Sequence, residues 1–139
     1  MTRTVCRWLL GALYLVAAWF HITAPEPFLT IMPGWVPLPE DVVFWTGIAE
    51  AAGAFALLQN QGPLLRKAAG WGLAAYALCV WPANVNHMLL DVARADGGLG
   101  LWYHVPRLAF QPVLIWLALW TSGSDRLAVQ AEIGRPPRT

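Results

Sequence analysis

Charged side chains are scarce in this chain. Asp, Glu, Lys and Arg make up 12% of its 139 residues, whereas a soluble domain carries about 25%. So few charges do not cover a water-facing surface in the ordinary way. The net charge is only +1 at pH 7 and no basic stripe is present, so the sequence lacks the electrostatic footprint of a nucleic-acid-binding protein. The composition therefore excludes a nucleic acid as an expected partner.

Cysteine is also rare. The two cysteines, Cys6 and Cys79, are far apart and form no C-x-x-C motif, so a dithiol redox centre or a cysteine zinc site has no support. No flavin or dinucleotide-binding motif occurs either. Any redox reaction would therefore draw its electrons from a partner or a substrate.

Apolar stretches are abundant, since 58% of the residues are hydrophobic. Four stretches reach or approach the length of about 20 residues that a membrane-spanning helix needs; they cover residues 5–22, 42–58, 68–90 and 107–122. The nine Trp residues add support because indole favours the membrane boundary. The sequence predicts an all-α integral membrane protein, with a four-helix transmembrane bundle over residues 1–122. A polar cytoplasmic tail, which we expect to be disordered, covers residues 123–139.

The first apolar stretch has a second interpretation. It follows Arg3 and Arg7 and contains a Val-Ala-Ala segment, a pattern that a cleaved signal peptide also shows. We favour a retained helix because the apolar run continues as far as His21, which the predicted site uses.

Basic residues mark alternate ends of the apolar stretches. Seven of the nine Lys and Arg residues occur in the N-terminal flank, in the 59–67 loop and in the tail. Arg94 and Arg107 belong to the 91–107 segment, and the 23–41 loop has none. Because positive charge marks the cytoplasmic side of short loops, the sequence predicts an N-in/C-in topology. The outer 23–41 loop between helices 1 and 2 holds five prolines among apolar residues, so we expect it to lie on the membrane surface as a lid over the helix ends.

Strongly polar residues inside the apolar stretches predict a site. Each costs about 2.5–3.5 kcal/mol at the centre of a membrane helix and seldom persists without a partner or a ligand. With the N-in topology and the helical rise, they lie in the outer half of the bundle. We predict catalytic roles for Glu50, His21 and His87. The predicted substrate-binding residues are Asn84, Arg107, Gln111 and Trp81.

A purely structural interpretation of these residues stays open. Glu50 and Arg107 could form a buried ion pair that fixes the helix packing, with the amide side chains as hydrogen-bond partners. His21, His87, His104 and Glu50 could instead ligate a metal or haem. The sequence contains no H-x-x-H or H-x-x-x-H spacing, so we predict no metal site.

The order of these features resembles the DoxX-like family of small bacterial membrane proteins. The resemblance covers residues 7–122. Its motifs are Arg7-Trp-Leu-Leu-Gly-Ala before His21, Pro25-Glu-Pro-Phe-Leu-Thr-Ile-Met-Pro33, Gly47-Ile-Ala-Glu50-Ala-Ala-Gly53, Trp81-Pro-Ala-Asn84 and Arg107-Leu-Ala-Phe-Gln-Pro112.

The resemblance implies a four-helix protein of the bacterial inner (cytoplasmic) membrane that crosses it several times. The family takes its name from a subunit of a thiosulfate–quinone oxidoreductase, which implies a quinone as a candidate cofactor and a redox-complex partner. The chain lacks the cysteine pair used in thiol-relay chemistry of related four-helix proteins.

Three classes of function follow. The first is a quinone-linked oxidoreductase or redox-complex subunit that meets a lipophilic substrate, with Glu50 and a histidine passing protons. The second is a cofactor-free acid–base enzyme of the isomerase type that acts on a small lipophilic molecule. The third is a non-enzymatic role in assembly or metal binding. Partners beyond the lipid bilayer would be a lipophilic small molecule, a second copy of the chain or a redox-complex subunit.

Overall fold

A computed structural model of the protein describes residues 1–124, and this part is all-α, as the sequence predicts. It contains five helices and no β-strand between residues 1 and 124. The helices are α1 (Thr2–Thr23), α2 (Glu26–Thr30), α3 (Pro39–Leu58), α4 (Pro63–Ala93) and α5 (Leu101–Ser122). Residues 125–139 of the predicted tail lie outside the described residues.

The four long helices contain the four apolar stretches and extend beyond them. α4 begins at Pro63 and α5 begins after Gly100, earlier than the apolar runs at 68 and 107. Proline suits the first turn of a helix because an N–H group there would have no intrahelical acceptor, so its absence costs nothing. The chain remains helical through Pro82 in α4 and through Pro112 in α5, so these prolines do not end their helices.

The proline-rich segment between α1 and α3 folds over one end of the bundle. It forms the short helix α2, and the Phe28 ring of α2 lies 3.8 Å from the His21 ring between centroids. The Asn86 amide of α4 donates to the Ile31 carbonyl at 2.9 Å. These two contacts attach the segment to α1 and to α4, as expected for a lid over the helix ends.

The long helices pack in the cyclic order α1, α3, α4, α5. α1 packs most closely on α3, and α4 packs most closely on α5. The shared core is built from alanine and leucine side chains with one tyrosine: Leu10, Tyr14, Ala54, Leu57, Ala69, Leu73, Ala74 and Ala118. Small residues allow such close helix approach, and the larger apolar side chains are left to point outward.

The outer surface of the bundle is strongly apolar. Large exposed side chains occur on every long helix, among them Trp19, Phe55, Trp71 and Trp116. α1 and α3 are long and apolar enough to cross a membrane, and most of their residues are not buried. Among the described residues no other helix meets the same test. Length and composition thus support a membrane location for two of the four predicted spans.

Candidate functional site

Glu50 lies on α3 at the centre of the bundle, facing α1 and α4. Its side chain is 5% exposed, and its Oε2 atom has no hydrogen-bond partner. The Tyr14 hydroxyl of α1 is buried without a partner in the same way. Both residues line a cavity of about 210 Å³, together with Tyr76, Asn84 and Gln111. Two buried polar atoms that lack partners therefore border one cavity.

His21 lies in the last turn of α1, on the side of this group nearest the proline-rich segment. Its Nδ1 atom lies 2.9 Å from Thr46 Oγ1, and the Thr46 hydroxyl donates to the Val43 carbonyl at 2.8 Å. Because a hydroxyl carries one proton, we assign the proton of this contact to His21 Nδ1, which donates to Thr46. His21 Nε2 is then an acceptor. The distance from His21 Nδ1 to Glu50 Oε2 is 4.0 Å.

A second cavity, of about 280 Å³, lies beneath the proline-rich segment. It shares Tyr76, Val80 and Asn84 with the Glu50 cavity, so the two are neighbours. Apolar side chains form most of its wall, including Ile31 and Val43. Small-molecule sites commonly combine a mostly apolar wall with a few polar groups. The pair of cavities has this character.

Gln111 and Asn84 complete the polar wall. The Gln111 amide donates to the Ala77 carbonyl at 2.8 Å, linking α5 to α4. This carbonyl precedes that of Leu78, which Pro82 leaves without its helical donor. Asn84 borders both cavities. Amide side chains thus lie beside the proline in α4.

A separate polar group joins the end of α4 to the start of α5. Asp91 Oδ2 accepts from the fully buried His104 Nε2 and from the Leu99 backbone N–H, each at 2.9 Å. His87 Nε2 lies 3.6 Å from the same oxygen. Arg107 Nη1 donates to His87 Nδ1 at 2.7 Å. We name His87, Asp91, His104 and Arg107 the Asp91 cluster.

The loop after α4 closes over Asp91. Gly98 has a φ of +54° and contacts the Asp91 carboxylate so closely that a Cβ would overlap it. The Leu99 N–H and the His104 ring hold the pKa of the Asp91 carboxyl, which lies just beyond the predicted 68–90 span, below its usual range. The carboxylate therefore stabilises the α4–α5 connection in its ionised form.

The Asp91 cluster also contains three side chains of types that can ligate a metal ion. One ligand atom each from His87, Asp91 and His104 lies within 4.8 Å of the others. Arginine only donates, so the Arg107 contact makes His87 Nδ1 an acceptor and places the ring proton on Nε2, toward Asp91. That arrangement offers no Nε2 lone pair to a metal. The predicted absence of a metal site stays a prediction.

The structure divides the predicted site residues into two groups and leaves one outside both. Glu50, His21, Asn84 and Gln111 surround the paired cavities. His87 and Arg107 belong to the Asp91 cluster, so Arg107 bonds to His87 and not to Glu50. Trp81 faces an outer groove beside Trp35.

Sequence reasoning missed four contributors: Tyr14, Thr46, Tyr76 and Asp91. A signal existed for the last, because His87 and Asp91 are spaced i, i+4 and share a helix face. The hydroxyl groups of Tyr14 and Tyr76 inside apolar stretches were a weaker signal of the same kind as Glu50.

The comparison with known proteins gives a family without an assigned activity. Residues 10–122 match the family model described as a domain of unknown function, DUF8561. No curated protein matches the chain, and no solved structure does. Since the match covers all but the ends of the sequence, the protein belongs to the DUF8561 family.

Proposed function

We propose that the protein crosses the bacterial cytoplasmic membrane four times, with both termini inside. The apolar outer surface of all four long helices supports this proposal. So does the charge distribution: Arg3, Arg7, Arg66 and Lys67 border one pocket at the end of the bundle where α1 and α4 begin. The acidic Glu40 and Asp41 begin α3 at the opposite end. This polarity agrees with the rule that positive charge marks the cytoplasmic side.

We further propose that the paired cavities bind a small lipophilic molecule that carries a hydroxyl or carbonyl oxygen. The observation that carries the proposal is the pair of buried, unpartnered atoms, Glu50 Oε2 and the Tyr14 hydroxyl, at one cavity. Buried polar groups are nearly always hydrogen-bonded. A ligand oxygen that accepts from Tyr14 and, as a hydroxyl, donates to Glu50 supplies what both lack. Glu50 and His21 are the groups that exchange protons with it, while Asn84 and Gln111 orient it.

A quinone is the first candidate for this molecule. Its carbonyl oxygens accept hydrogen bonds when oxidised, and its hydroxyls donate when reduced. Tyr14 donates to the first form and the Glu50 carboxylate accepts from the second. Reduction of the quinone takes two electrons, which a redox-complex partner or a reduced substrate supplies, and two protons, which pass through Glu50 and His21. The resemblance to the DoxX-like family supports this choice.

An acid–base reaction without a cofactor is the second candidate. Glu50 and Tyr14 reach one cavity from different helices. A carboxylate that removes a proton and a phenol that donates a hydrogen bond to a carbonyl oxygen are sufficient for a proton-shift isomerisation. The bound molecule then carries one carbonyl group and no second redox-active oxygen.

Identification of the co-purified molecule tests the proposal. The protein is purified in a neutral detergent, and native mass spectrometry followed by solvent extraction identifies what is bound. We expect a quinone for the first candidate and a carbonyl compound without redox activity for the second.

Glu50→Gln should weaken binding of that molecule about ten- to hundredfold, because a hydrogen bond to a charged group contributes about 1.5–3 kcal/mol. Tyr14→Phe should weaken it less. Glu40→Gln is the matched control, since Glu40 is exposed at the start of α3. Equal binding by the wild type and by the Glu50→Gln variant, with unchanged melting temperatures, contradicts the proposal.

A further inference from the structure

The end of the bundle away from the proline-rich segment holds a third, basic pocket. Its volume is about 400 Å³, and it lies between the start of α1, the start of α4 and the end of α5. Four cationic side chains line it: Arg3, Arg7, Arg66 and Lys67. Thr4 and Thr121 add hydroxyl groups to the wall. We name this site the basic pocket.

Arg7, Arg66 and Lys67 come together in the basic pocket with no Asp or Glu of residues 1–124 lining it. Arg7 and Arg66 are close enough for mutual repulsion. The Nε atom of each is buried and has no hydrogen-bond partner. Like charges held side by side, with donors unused, are the arrangement that an anion stabilises.

Part of the pocket is already fixed by internal contacts. Arg3 Nε donates to the Trp120 carbonyl at 2.7 Å, and its guanidinium lies over the Trp120 ring. Arg66 Nη2 donates to the Gln59 carbonyl at 3.1 Å. These bonds hold Arg3 and Arg66 in place, which reduces the entropy that a ligand would otherwise lose in ordering them.

We propose that the basic pocket binds the phosphate group of an anionic membrane lipid. Guanidinium groups match phosphate oxygens in geometry and charge, and basic pockets between helices on the cytoplasmic side bind anionic headgroups. The first turn of α4 also exposes Leu64 and Leu65 beside Pro63, where acyl chains would lie. The lipid source rests on the proposed membrane placement, whereas the phosphate chemistry rests on Arg7 and Arg66 alone.

The experiment compares lipids that differ in headgroup charge. Delipidated full-length protein in neutral detergent receives phosphatidylglycerol or phosphatidylcholine, and native mass spectrometry and melting temperature report binding. We expect phosphatidylglycerol to bind and to raise the melting temperature, more so at low salt. Each cationic side chain near a surface changes affinity about fivefold, so Arg7→Gln with Arg66→Gln should weaken binding more than about tenfold.

The controls separate charge from folding. Arg94→Gln removes an exposed arginine that pairs with Asp96 between α4 and α5, and it should leave lipid binding unchanged. If the double variant has a lowered melting temperature in phosphatidylcholine, Lys67→Gln replaces it, with about fivefold weaker binding expected. Equal binding of phosphatidylglycerol by the wild type and by the folded variants overturns the proposal.

Further experiments distinguish a lipid phosphate from a soluble phosphate. They also separate the basic-pocket proposal from the membrane placement and from the cavity proposal. If millimolar inorganic phosphate raises the melting temperature as much as phosphatidylglycerol does, the lipid source is overturned. The pocket is then assigned to a soluble phosphate ligand. Release of the protein from membranes by an alkaline wash without detergent would overturn the membrane placement. Glu50→Gln should leave phosphatidylglycerol binding unchanged, so failure of the cavity proposal is seen separately.

Discussion

Replacement of Gly70 by alanine is expected to lower the free energy of unfolding by about 1–3 kcal/mol, the usual cost of overpacking. Alanine is the better helix former, so propensity alone predicts the opposite sign. The expected loss of stability comes from the close contact between α4 and α5 at Gly70. A Cβ at Gly70 would lie 2.8 Å from the Ala118 carbonyl oxygen and would overlap the Ser122 side chain. Since the carbonyl belongs to the backbone, the helices must move apart.

Gly72 provides the matched control for Gly70. It lies on the same helix, and a Cβ there would meet nothing within 4 Å. Gly72→Ala should therefore leave stability unchanged or raise it by about 0.5–1 kcal/mol. Thermal unfolding in one detergent compares the variants.

A double variant isolates the contact. Adding Ser122→Gly to Gly70→Ala removes the overlapping side chain and should recover part of the loss, a coupling that a double-mutant cycle measures. Equal stability of the Gly70→Ala and Gly72→Ala variants would show that the helices are not in close contact at Gly70.

Replacement of Asp91 by alanine should cause the second large loss of stability, seen as a lower melting temperature. The change removes the acceptor of the buried His104 N–H and of the Leu99 N–H. A buried donor left without an acceptor costs more free energy than the lost hydrogen bond contributed to stability. The charge-matched control is Asp41→Ala, because Asp41 is exposed at the start of α3. Equal melting temperatures for the two variants would contradict the role of Asp91.

The Asp91 carboxyl also sets a pH dependence. Contacts with the Leu99 N–H and His104 hold its pKa in the folded protein below the ordinary value of 3.8. A lowered pKa means that the stabilisation is fully present above the unfolded value and is lost as pH falls through the folded value. Melting temperature should fall more steeply below about pH 4 in the wild type than in the Asp91→Asn variant. Parallel acid profiles would exclude this linkage.

The sequence by itself determined the helices and the positions of the polar residues along them. Apolar runs and flanking Pro and Gly residues are local signals, so the four long helices contain the predicted stretches at 5–22, 42–58, 68–90 and 107–122. Positions along a helix follow from a fixed rise per residue. The sequence therefore predicts that His21 and Glu50 lie toward the same end of the bundle, and their approach to 4.0 Å is seen only in the folded structure.

Tertiary packing decided which polar residues meet. His87 and Arg107 share the predicted depth with Asn84 and Gln111, yet they turn toward Asp91 and His104 at the α4–α5 end. Tyr14 and Tyr76, which line the same cavity as Glu50, come from two different helices. Such contacts depend on the rotation and spacing of whole helices, which close approaches such as that of Gly70 to Ala118 fix. Periodicity within one helix indicates which face packs inward, but it does not say which residues of a neighbouring helix that face meets. Only the folded bundle therefore separates the cavity pair from the Asp91 cluster.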